Sequence, residues 1–228
     1  MFKHKILLLF LTLLPVETFS KEIEVNSVSV VNAPEWLTSR RVEKVIDKIQ
    51  NFLEWDIRKI KVYFYSDEKA FQSFHHMGNS VAAVSRKSDS TMHVGPKVLS
   101  TNFDVIFGHE LVHLILGQKY KDAIPAWLEE GLANYLVKAG PVDYKRVFSA
   151  TKDFDVHLLE HPYKKSPLDA DVHYMASRAA VEMIAKKCDL LNLLQMSVDK
   201  GLETYLPTLC EMPDVNAAFH TWVKKKAR

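Results

Sequence analysis

Apolar and polar positions alternate with period two over Glu22–Val31 (EIEVNSVSVV), a β-branched stretch that predicts a strand. Beyond Pro34 the period lengthens. Val42, Val45, Ile46, Ile49, Phe52 and Leu53 recur at helical spacing and predict a helix over Ser39–Trp55. Lys59–Tyr65 (KIKVYFY) returns to strand character, and Ser66 is placed to cap a short helix ending near Gly78. Val81–Arg86 and Thr91–Val94 read as two strands around the polar turn Lys87-Ser88-Asp89-Ser90. Thr101 and Asp104 then have the spacing of a capping box, opening a helix that runs to Gly117, where glycine suits a stop.

After Pro125 a further helix is predicted from about Ala126 to Lys138, ending at Gly140-Pro141. Residues 141–171 show no period and read as irregular, while Val172 to the end is helical with breaks near Asp189, Gly201, Pro207 and Pro213. The pattern implies one α+β domain over 21–228, with an α+β part (21–117) followed by a mainly helical part (118–228).

The first twenty residues stand outside that pattern. Lys3 and Lys5 precede the apolar run Ile6–Leu14, and Thr18-Phe19-Ser20 puts small residues where a signal peptide is cut. The run is too short to span a bilayer, which takes roughly 20 apolar residues, so an exported chain, periplasmic or secreted, is expected over 21–228. Without that segment the net charge falls from +2 to about +1, which favours neither nucleic acid nor an anionic membrane as partner. In an oxidising compartment Cys188 and Cys210 can form a disulfide between C-terminal helices; the alternative is two separate buried thiols.

His109-Glu110-Leu111-Val112-His113 (HELVH) lies within the helix predicted to end at Gly117. Residues four apart share a helix face, so His109 and His113 can hold one ion while Glu110 projects beside it as a general base. The flanks are apolar (Ile106, Phe107, Leu111, Val112, Leu114–Leu116), and burying two unpaired imidazoles among them would be costly. Two histidines and a glutamate, leaving a position open for water, form one standard catalytic zinc set.

HELVH followed by WLEEGLANY, residues 127–135, resembles the gluzincin metallopeptidases. The likeness is to the small peptidase-MA-like group and, more distantly, to the aminopeptidase N type with its WLNEG motif. It implies a zincin-like fold, with a small twisted β-sheet, an active-site helix and a helical C-terminal part. It also implies one Zn²⁺ held by His109, His113 and Glu130, the glutamate directly before the glycine. Glu130 lies 17 positions beyond His113, and Glu129 is the competing ligand, about 100° away on the same helix. Gly131 would let the helices approach closely. Asn134, one turn beyond Glu130, stands where thermolysin-like enzymes place an aspartate that orients a ligand histidine.

VHYMASRAAVEMIAKK, residues 172–187, resembles the segment after the zinc site in peptidase-MA-like proteins. That match implies Tyr174 as donor to the oxyanion, with His173 as its rival and Ser177 as a helix-packing residue. Thr91–Val94 compares with the edge strand on which zincins bind substrate. His93 within it reads as a packing or solvated residue, His75 and His76 as a solvated face, and His157, His161 and His220 as scattered. GNSVAAVSR, residues 78–86, has no glutamate like the one with which aminopeptidases grip a free amine, so an endopeptidase acting on a peptide or protein is the expected function. A non-catalytic zinc-binding scaffold and a zinc amidase of the cell envelope are the alternatives, since fold and metal do not fix the substrate. Residues 141–171 are the place for a lid.

Overall fold

The computed structural model describes residues 21–77, 80–159 and 167–228. The expected signal peptide lies outside the described residues, as do His161 and the middle of the expected lid, 160–166. The first predicted strand is in fact a hairpin, β1 (Ile23–Val25) and β2 (Val28–Val31). Asn26 turns the chain at φ 51°, a left-handed conformation that asparagine tolerates. Helix α1 (Ser39–Leu53) follows, capped by Thr38 and ended two residues earlier than predicted by left-handed Glu54. Strand β3 (Ile60–Phe64) leads to α2 (Glu68–His75), whose cap is Asp67 and not Ser66.

β4 (Ala83–Arg86) and β5 (Thr91–Val94) complete a five-stranded mixed sheet of order β1-β2-β3-β5-β4. β2, β3 and β5 run parallel; the two edges, β1 and β4, run antiparallel to their neighbours. Thr91–Val94 is therefore an interior strand, and the edge beside the helix that carries HELVH is β4. One sheet face (Val28, Val30, Ile60, Val62, Met92, Val94) joins the core with α1. The other carries Tyr63 and His93, on which Phe74 of α2 stacks.

α3 (Phe103–Tyr120) carries HELVH and is apolar on nearly every side, the mark of a central helix. It is wedged between sheet and α1 on one flank and α4 (Ala126–Val137) on the other. Two predictions for it fail. Its first residue follows Asn102, whose side chain accepts from the Leu99 N–H, and Asp104 pairs with Arg41 in place of a capping box. It also runs through Gly117 for another three residues.

The described parts of 141–171 hold more regular structure than their pattern suggests. Asp143 caps α5 (Tyr144–Ala150), which packs on later helices, and a 3₁₀ turn spans Val156–Leu158. Beyond come α6 (Ala170–Lys187), α7 (Leu190–Lys200), α8 (Leu202–Leu209, enclosing Pro207) and α9 (Val215–Lys226). A disulfide joins Cys188, at the end of α6, to Cys210, at the end of α8. Among the described residues no helix is long and apolar enough to cross a membrane.

Candidate metal centre

His109 and His113 share the face of α3 that looks toward α4, with their Nε2 atoms 3.1 Å apart. α4 brings Glu130 against them, Oε2 lying 3.6 Å from His109 Nε2 and Oε1 3.6 Å from His113 Nε2. An ion in tetrahedral coordination with bonds of 2.0–2.1 Å has ligand atoms about 3.4 Å apart. The two histidine nitrogens are close to that separation, each histidine meets a different oxygen of the Glu130 carboxylate, and one ligand atom from each residue lies within 4.8 Å of the others, within reach of a single ion. Glu130 Oε2 is buried and accepts no hydrogen bond, a costly state that a cation would relieve.

Charge points the same way. Glu110, Glu129 and Glu130 gather around the histidines with only Lys87 paired among them. Burial works against a charged His113, but Glu130, Glu129 and Glu110 outweigh it and raise its pKa to about 9. Burial pushes the Glu130 carboxyl up to about 7, with His113 pulling it down and the two neighbouring glutamates pushing it further up. The His109, His113 and Glu130 side chains could hold a divalent ion, and binding would displace the proton that His113 otherwise keeps.

Glu129 and Glu130 divide between the two sides of His113. Its Nδ1–H donates to Glu129 Oε1 at 2.7 Å, leaving Nε2 to face the triad. Burial disfavours the Glu129 carboxylate, yet the hydrogen bond from His113 and the charge of Lys87 outweigh it and hold its pKa below the usual range. Such a partner fixes the tautomer of a metal-binding histidine. At His113 it is Glu129, and not Asn134, that bonds Nδ1. Asn134 Nδ2 instead donates to the Glu130 carbonyl, 3.0 Å away on its own helix.

Gly131 also serves a different approach from the one expected. A Cβ there would lie 2.3 Å from the Ser177 carbonyl oxygen, so its bareness brings α6, not α3, against α4. Ser177 is fully buried in that contact.

The triad opens into a cleft of about 430 Å³, lined by Glu110 and by β4 from Ala83 to Ser85. Tyr174 stands at its rim, its ring 6.1 Å from that of His109, and also borders a second hollow of about 380 Å³ beside Arg146 and Arg178. His173 is fully buried and borders neither hollow.

Among the described residues, His75, His76, His93, His157 and His220 stay apart from this centre. His93 is buried on the far sheet face, stacked on Phe74 and bonded through Nδ1 to the Tyr65 hydroxyl. His75 is half-buried, its Nδ1 accepting from the Met77 N–H, whereas His76 is exposed. His157 pairs with Asp155 and Glu203, and His220 donates to the Phe154 carbonyl. No protein-family model and no curated protein matches this sequence.

Proposed function

We propose that this chain is an exported zinc-dependent endopeptidase with a zincin-like fold, resembling the gluzincins. The observation that carries the reading is the gathering of His109, His113 and Glu130, one ligand atom of each within 4.8 Å of the others, with Glu110 on the same helix as the histidines and all four lining one open cleft. When bound, zinc supplies a Lewis acid and a water made acidic enough to lose its proton near neutral pH. Glu110, on the same helix as the two histidines and lining the cleft, would be the base for that proton. Tyr174, at the cleft rim, donates its O–H to the oxygen on which charge develops. His113 is held in one tautomer by Glu129.

β4 supports a peptide as substrate. The Gly95 N–H donates to the Ala82 carbonyl, so along this antiparallel edge the main-chain groups of Ala83 and Ser85 alternate to the open side. An extended peptide can pair there as an added strand, directly above the triad. The Cys188–Cys210 disulfide supports an oxidising compartment.

Metal content of ligand variants tests the assignment. His113→Ala and Glu130→Ala are expected to lose stoichiometric zinc, whereas Glu129→Gln weakens binding by about 10–100-fold without abolishing it. Zinc retained by Glu130→Ala and lost from Glu129→Gln would overturn the ligand set.

A further inference from the structure

Lys87 sits at the first position of the turn joining β4 to β5, yet its ammonium lies 2.6 Å from Glu129 Oε2. The other Glu129 oxygen accepts the His113 Nδ1–H at 2.7 Å. The carboxylate is thus gripped at both ends, by a cation from the sheet and by a metal-ligand candidate from α3. Its side chain is 9% exposed, so this is not a loose surface pair of the kind that contributes little.

The path of the lysine is built into the helix. A Cβ on Gly117 would lie 3.0 Å from Lys87 Cγ and Cδ, so the lysine stem crosses α3 where the helix has no side chain. This accounts for a glycine inside the last turn of α3 better than the helix stop expected of it.

We infer that Lys87 is a positioning residue for the metal centre, acting through Glu129 to hold His113 with Nε2 turned toward the ion. Take the lysine away and Glu129 keeps one anchor: it can swing off Nδ1, and the His113 ring loses its preferred tautomer and angle. Because Lys87 follows β4 directly, the hairpin that offers an edge to the substrate also secures a ligand. The inference rests on the reading of His109, His113 and Glu130 as a zinc site.

The test is the dissociation constant for Zn²⁺, by competition with a chromophoric chelator, on the full chain in four forms: parent, Lys87→Met, Glu129→Gln and the double variant. Lys87→Met is expected to weaken binding about tenfold, and to add nothing once Glu129 is Gln. With Co²⁺ as probe, the visible spectrum of Lys87→Met should shift relative to the parent, a change that a purely structural role would not produce. Lys87→Gln, which keeps a polar end, provides the same comparison if the Met variant does not fold. Equal affinity in parent and lysine variants, or the same tenfold loss on either Glu129 background, overturns the inference. A parent that takes up no zinc overturns the metal reading itself, and the inference with it.

Discussion

Two adjacent glutamates, one helical step and about 100° apart, meet opposite sides of one imidazole: Glu130 faces His113 Nε2 and Glu129 takes Nδ1. The sequence excludes both as ligands to the same ion, and resemblance favours Glu130. What it cannot supply is the crossing of α3 and α4, which makes the other carboxylate a hydrogen-bond partner of His113. The expectation for Asn134 rests on its offset along α4; its Nδ2 donates to the Glu130 carbonyl on its own helix, and at His113 Nδ1 the partner is Glu129. His93 shows a further residue-scale effect outside the centre. Burial, with Arg86 adding to it, lowers its pKa to about 4, against an ordinary value near 6.5. The unfolded chain therefore gains a proton below pH 6.5 that the folded one refuses. Stability that is full above that pH should fall as pH drops from 6.5 through 4, by on the order of 1–2 kcal/mol after screening. Urea midpoints in the presence of a chelator should show this loss in the parent and less of it in His93→Phe. Identical slopes would contradict it.

Among elements, α1 was legible from its apolar stripe, and α4, buried on nearly every side, from the proline before it and the Gly140-Pro141 pair beyond it. The β1–β2 hairpin was present in the sequence as a slip of phase: inward positions are odd at Ile23 and Val25, then even at Val28 and Val30. β-branched residues on both sides hid the slip. α5 was missed because only Val147 of its seven residues is buried, too little to make a stripe. The interior place of β5 was not legible either, since alternation identifies strands but not their order. The α4–α6 contact depends on Gly131, where a methyl group would meet the Ser177 carbonyl at 2.3 Å. Gly131→Ala should destabilise the fold by about 2–3 kcal/mol, overpacking outweighing the higher helix propensity of alanine. Chemical denaturation measures this, and an unchanged midpoint would show that the two helices can part without cost.

At the scale of the molecule, the sheet supplies an open edge and the helical part supplies Glu130 and Tyr174, with α3 between them. The α+β division was readable from the order of periods along the chain. A cleft where the two parts meet is expected from that division; the residues that line it were not readable, because they depend on where α4 and α6 come to lie. The disulfide closes a loop of 22 residues between the ends of α6 and α8. Its reduction should lower stability by about 3 kcal/mol through loop entropy, read as a shift in denaturation midpoint with and without a reducing agent. No shift would mean that the bond constrains nothing that packing does not.

In the proposed mechanism Glu110 is the base at a zinc site that it does not help to form. One paired measurement tests this: zinc per chain and cleavage of an unstructured protein, on residues 21–228 and on the same chain carrying Glu110→Gln. One zinc in each and cleavage by the parent alone are expected. Zinc in both with cleavage by neither, or cleavage undiminished in Glu110→Gln, would contradict it.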